Sequence, residues 1–144
     1  MARSLDWIGA DSRKGRKNGR GFYHYGGKHQ QVDRSVYRLI PDGWKGRSFS
    51  VEEIQRRLSM SLLNEAAFCL QEGILFQPQD GDVGAILGLG FPAFRGGPFR
   101  FLDTLRASEA VHILLGLAAR HGERFRPADL LVEMARSQQS FYSS

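Results

Sequence analysis

The chain has 144 residues, 42% of them hydrophobic and 24% charged, a size and balance that suit one soluble globular domain plus an extra segment. No run of 18 or more apolar residues occurs, and the opening MARSLDWIGADSRKGRK has no apolar stretch long enough for a secretory signal, so neither a membrane span nor export is expected. The formal charge of +5 is carried by residues 1–28, where seven basic residues face only Asp6 and Asp11; the rest of the chain is neutral, which excludes a basic domain.

Residues 12–30, SRKGRKNGRGFYHYGGKHQ, contain five glycines and read as a loop with one short extended stretch, GFYHY, that is not expected to fold alone. Residues 31–47 carry a Pro-Asp-Gly turn and read as an irregular or briefly helical approach, with Val36, Leu39, Ile40 and Trp44 packing on the helical region C-terminal to them. Residues 1–44 therefore read as an irregular arm and residues 45–144 as a helical domain.

Ser50 and Glu53 have the spacing of a capping box, which predicts a long helix from there to about Glu72. Val51, Ile54, Leu58, Leu62, Ala66 and Cys69 form one apolar stripe at helical spacing; Met60, Leu63, Ala67 and Leu70 form a second. A helix apolar on two sides is expected to be central, packed between neighbours. Cys69, the single cysteine, excludes an intrachain disulfide and reads as a small buried hydrophobe in a reducing compartment. Gly73 supplies a left-handed stop. Residues 80–103, DGDVGAILGLGFPAFRGGPFRFLD, alternate glycine, proline and short apolar runs, and predict short helices joined by tight turns. Ser108 is expected to cap a helix through about Arg120, stopped by Gly122, with Val111, Leu114, Leu115 and Ala118 toward the core. Pro127 at a first helical position opens a last helix, with Phe125 stapled to Leu130. The fold expected is all-α, a compact bundle of about five helices.

Candidate chemistry is sparse. Gly88-Leu-Gly90-Phe-Pro92-Ala93 matches the text of a dinucleotide loop, G-x-G-x-x-A. That loop needs a preceding strand in a βαβ unit and an acidic residue some twenty positions on, and the surrounding pattern offers neither. Asp80 and Asp82 lack the further oxygen ligands of a calcium loop, and Asp82 is read as a helix cap. His24, His29, His112 and His121 fall at no metal-ligand or triad spacing and are read as structural or solvated. Asn64 and Glu65, mid-helix among apolar residues, are read as a structural polar pair; a pocket built on them would instead define an enzyme. The basic run Arg13 to Arg20, followed by Phe22 and Tyr23, keeps open an alternative: a small nucleic-acid-binding module, although nucleic acid is not the expected partner.

Two strings carry a family resemblance. GRKNGRGFYHY, residues 15–25, is similar to the stretch that ends the first helical domain of the 3-hydroxyacyl-CoA dehydrogenase family in its multifunctional forms. NEAAFCLQEGI (64–74), residues 80–103 and HGERFRPADLL (121–131) together resemble the second helical domain, in order and spacing, so the likeness runs from about residue 13 to 135. It implies a C-terminal domain cut away from the parts that perform fatty-acid β-oxidation. The NAD-binding domain, the catalytic His with its Glu and the hydratase acids all lie elsewhere in the parent. The first helical copy contributes an Asn-Arg pair; the matching positions here are Arg56 and Arg57, so the Asn is absent, as suits a non-catalytic copy.

The resemblance therefore implies no catalytic, cofactor-binding or metal-binding residue in this segment, NAD in the parent, and packing against the NAD domain and the first helical domain. It also implies a thiolase subunit as a partner of the parent, and a compartment that is cytoplasmic in a bacterium or mitochondrial or peroxisomal in a eukaryote. Faces left open by the absent domains are expected to favour self-association. Asn64, Glu65, Gly90, Phe91, Pro92, Gly96, Gly97, Pro98 and Phe99 are the expected structural or interface residues, with the run from Gly90 to Phe101 as a buried turn or interface.

Overall fold

The computed structural model describes residues 10–26, 31–41, 43, 45–46 and 48–142. The chain divides into two compact units, Met1–Ser48 and Phe49–Ser144. Trp44, Lys28 and His29 lie outside the described residues.

The first unit holds an antiparallel pair, β1 (Tyr23–His24) with β2 (Gln31–Val32), in the register Tyr23 to Val32 and His24 to Gln31. The expected extended stretch is thus half of a small ladder. A 3-10 helix, Arg34–Leu39, comes next, capped by the Asp33 carboxylate accepting from the Ser35 amide. Val36 is buried on it. Two-residue strands bury little apolar area, and a charged cluster holds this unit: the buried Arg13 guanidinium donates to Asp33 Oδ2 at 2.6 Å, to Asp11 Oδ2 at 2.7 Å and to the Gly21 carbonyl at 2.7 Å. The Ser35 hydroxyl and then Arg13 hold the Asp33 carboxyl well below the usual carboxylate range, against the opposing effect of burial.

The second unit is all-α. Its first helix, α1 (Val51–Gln71), starts where the Ser50 hydroxyl accepts from the Glu53 amide at 3.1 Å, and Gly73 lies just past its end with φ 71°. Only the Ser50 half of the expected capping box is made this way. The Glu53 carboxylate lies 3.5 Å from His121, and it is Glu52 whose acidity rises, through its own amide and the Ser50 hydroxyl. Next come α2 (Pro78–Gly84), a π turn (Ala85–Leu89) ended by Gly90 at φ 73°, and a 3-10 turn (Ala93–Arg95). Three further α-helices, α3 (Pro98–Leu105), α4 (Ala107–His121) and α5 (Asp129–Ser137), complete the unit, with a 3-10 turn (Glu123–Phe125) between the last two.

Helix α1 packs on α3, α4 and α5, and α2 packs on α3, so the core sits under α1. Met60, Leu63 and Ala67 meet Phe99, Leu102, Leu114, Leu117, Phe125 and Leu131 there. Only one of the two expected stripes of α1 is therefore closed. Val51, Ile54 and Leu58 are exposed, Leu58 to 68%, while Leu62, Ala66 and Cys69 are half-buried. The helix is not sandwiched along its length, because its first two turns have a partner on one side only.

Two expected starts move. The N-cap of α4 is Arg106 at φ 71°, not Ser108, which lies inside the first turn. The N-cap of α5 is Ala128, one residue past Pro127, because Arg126–Ala128 is held in an extended run by a side chain of α1.

Candidate functional site

Asn64 sits two-thirds of the way along α1, on the face toward the core, and is 3% exposed. A buried amide needs partners for its N–H and C=O groups. Its Nδ2 donates to the Arg126 carbonyl at 2.8 Å, and its Oδ1 accepts from the Ala128 amide at 2.9 Å, so one side chain spans Pro127 and holds the entry to α5. Gln71, two turns further on, accepts from the Leu130 amide in the first turn of α5 at 2.9 Å. Glu65 points the other way and is exposed, so the expected polar pair is split: Asn64 is a clamp and Glu65 has a solvated side.

Asp82 is the second buried polar centre. It belongs to α2, and its Oδ1 accepts from the Phe99 amide at 2.7 Å, which caps α3 from a neighbouring helix. Asp82 is thus a cap, as its sequence context suggests, but of a helix other than its own, which no local pattern reveals. Its other oxygen accepts from the Tyr142 hydroxyl. Burial, and then this bond to Asp82, push the Tyr142 phenol well above its ordinary range. Two glycines make the approach possible. A Cβ on Gly97, at φ 108°, would overlap the Asp82 carboxylate, and one on Gly81 would overlap the Phe99 ring.

These contacts divide the run from Gly90 to Phe101. Gly97, Pro98 and Phe99 are buried, Phe91, Gly96 and Phe101 are half-buried, and Gly90, Pro92 and Phe94 are exposed, Phe94 to 84%. The Gly88 to Ala93 text runs from the end of the π turn that continues α2, through Gly90, to the first residue of the 3-10 turn, with the Phe91 amide donating to the Ala85 carbonyl, so no strand precedes it. Its backbone is engaged in closing α2. Asp80 is exposed and Asp82 buried, and no cluster of His, Cys, Asp or Glu suited to a metal occurs among the described residues.

The other candidates are dispersed. Arg56 is exposed, and the Arg57 guanidinium lies 5.3 Å from the Phe49 ring centre. Arg57 also borders a groove of about 330 Å³ with Ile54, Leu58, Ser61, Arg124 and Phe125. His121 stands at the end of α4 beside Glu53, His112 is exposed, and His24 lies 3.5 Å from Asp33. Within the basic run, Arg13 is buried in its ion pairs and Arg20 reaches the same Asp33 at 3.4 Å, which removes two of the cations a phosphate backbone would need. Sequence reasoning passes over Phe141 and Tyr142, whose amides both donate to Asp103, at 2.8 and 3.0 Å. No helix among the described residues is long and apolar enough to cross a membrane.

Fold and polar centres together define a small all-α domain in which the buried Asn64 and Asp82 hold its own turns and helix starts. Comparison with known proteins gives that class a family: residues 54–141 match the 3-hydroxyacyl-CoA dehydrogenase, C-terminal domain, and the chain belongs to that family. It is 49% identical over 145 residues to the fatty acid oxidation complex subunit alpha of Shewanella amazonensis, a match that covers 96% of this chain and 20% of the relative. It is 47% identical over 142 residues to the protein of the same description from Shewanella frigidimarina, again 96% of this chain and 20% of the relative. The chain thus spans about a fifth of the length of the curated relatives it matches.

Proposed function

We propose that this segment serves as the second, C-terminal helical domain of a larger NAD-dependent 3-hydroxyacyl-CoA dehydrogenase of fatty-acid β-oxidation, with enoyl-CoA hydratase chemistry carried elsewhere in the same parent. Its role is structural: it packs against the NAD domain and the first helical domain and keeps the acyl-CoA cleft in shape. Residues 1–44 are the end of the preceding helical domain plus a linker. NAD is bound by the parent and not by this segment, a thiolase subunit is the parent's partner, and the compartment is the bacterial cytoplasm.

The observation that carries this reading is the open apolar stripe Val51, Ile54 and Leu58 on a helix whose opposite face is buried from Met60 to Ala67. Three large apolar side chains in a row on one helix face cost solvation free energy unless another surface covers them. Phe76, Leu87 and Phe94, exposed to 94, 81 and 84%, add further uncovered area on the α2 side. The polar centres support the same reading from the other direction: the buried Asn64 and Asp82 and the half-buried Asp103 each bind backbone or a phenol, which is the work of groups that hold structure. The isolated chain, assayed with a 3-ketoacyl-CoA and NADH, is expected to give no NADH oxidation above buffer; turnover by this chain alone would refute a purely structural role.

A further inference from the structure

We propose that α2 and α3 form a recognition site for a Phe-Tyr peptide segment, filled in this structure by residues 141–142 of the chain itself and able to take the same segment from a second copy. Both amides, both rings and the phenol of that dipeptide are met by side chains of the receiving helices. The two adjacent amides donate to the two oxygens of one carboxylate, Asp103, on α3. The Phe141 ring meets the fully buried Phe99 ring edge-on, centres 4.8 Å apart at 65°. The Tyr142 hydroxyl donates to Asp82 of α2, and the Arg100 guanidinium lies 3.7 Å from the centre of the Tyr142 ring. A carboxylate for paired amides, an aromatic wall, a deep acceptor for a phenol and a cation over its ring are the parts of a peptide-binding site in which the backbone supplies register and the side chains supply selectivity.

The segment is delivered on a short polar leash. Helix α5 ends at Gln138, which adopts φ 55°, and Gln139 and Ser140 then lead to Phe141. Nothing in those three residues resembles a helix or strand continuation, so docking is decided at the receiving site and the leash sets only the local concentration. For a leash this short that concentration is on the order of millimolar. The chain contains a second Phe-Tyr pair, Phe22–Tyr23, but its carbonyls accept from Asp33 and Gly21 and Tyr23 pairs with Val32, so its backbone is held in the hairpin. Residues 141–142 are therefore the segment that can be exchanged.

The test uses the full chain and the peptide Ser-Gln-Gln-Ser-Phe-Tyr-Ser-Ser, residues 137–144. Amide hydrogen exchange at Phe141 and Tyr142 reports detachment. A competing peptide at ten times its dissociation constant, about 10 mM for a millimolar binder, raises the ratio of detached to docked segment about tenfold and lowers the protection of the two amides accordingly. The same peptide with Ala-Ala in place of Phe-Tyr leaves exchange unchanged. In a chain ending at Gln138, the Phe-Tyr peptide raises the melting temperature saturably, and Asp103→Asn in that chain weakens the effect at least tenfold. Exchange that does not respond to about 10 mM Phe-Tyr peptide, or that responds equally to the Ala-Ala peptide, overturns the proposal. If the shortened chain does not fold, the exchange measurement on the full chain decides alone. Neither result bears on the β-oxidation reading, which rests on the other face of α1.

Discussion

Helix α1 carries two apolar faces with opposite fates, and the contrast explains the domain. Met60, Leu63 and Ala67 in its second half are buried under α3, α4 and α5, while Val51, Ile54 and Leu58 in its first half stand open. In the amino-acid sequence the open stripe is the longer and more regular of the two. What separates them is the supply of partners: the turns held by Asn64 and Asp82 bring α3 and α5 onto the second half, whereas among the described helices only the short 3-10 turn Glu123–Phe125 borders Ile54 and Leu58, across a groove. Hydrophobic periodicity shows that a face wants burial and is silent on what buries it.

The sharpest way to break this comparison is to damage the closed side. Phe99 is fully buried at the meeting point of α1, α2 and α3, so Phe99→Ala is expected to cost about 3–5 kcal/mol of unfolding free energy in urea titrations; a loss below about 1 kcal/mol would mean that the core is not organised around it. Phe91, half-buried, belongs to the same cluster edge and has less to lose. A smaller effect is expected at the clamp. Asn64→Ala removes the partner of both the Arg126 carbonyl and the Ala128 amide and should cost about 1–3 kcal/mol, because buried backbone groups are left unsatisfied. Asn64→Leu tests the same point without a cavity: restored stability with leucine would show that packing, not the paired hydrogen bonds, fixes the start of α5.

Much of the fold is legible in the sequence for local reasons. The Ser50 cap, the stop at Gly73, the stop at Gly122 and the short helices between residues 78 and 105 are all set by residues within one turn of the feature they determine. The features that sequence reasoning misplaces depend on distant partners. Ser108 and Pro127 look like helix starts, yet the chain enters α4 through Arg106 at positive φ, and enters α5 two residues late because Asn64, more than sixty positions earlier, holds Arg126–Ala128 extended. Asp82 is recognisable as a cap but not as the cap of α3, since the bond spans 17 positions and needs Gly97 to let the carboxylate in. Phe141 and Tyr142 give no periodic signal, because a polar leash precedes them and their partners, Asp82, Asp103 and Phe99, lie about 40 to 60 positions away.

The open stripe gives the smallest effect in isolation and the largest in context. Ile54→Ser with Leu58→Ser is expected to shift the stability of the isolated chain by no more than about 0.5 kcal/mol per site, as for surface positions. The decisive measurement places the same pair in the Shewanella amazonensis subunit with its matching fifth replaced by this chain, and follows NADH oxidation with a 3-ketoacyl-CoA. We expect the unsubstituted chimera to turn over and the doubly substituted one to lose at least tenfold while the isolated domain melts as before; full activity in the substituted chimera would contradict the assignment of this face to an interdomain contact.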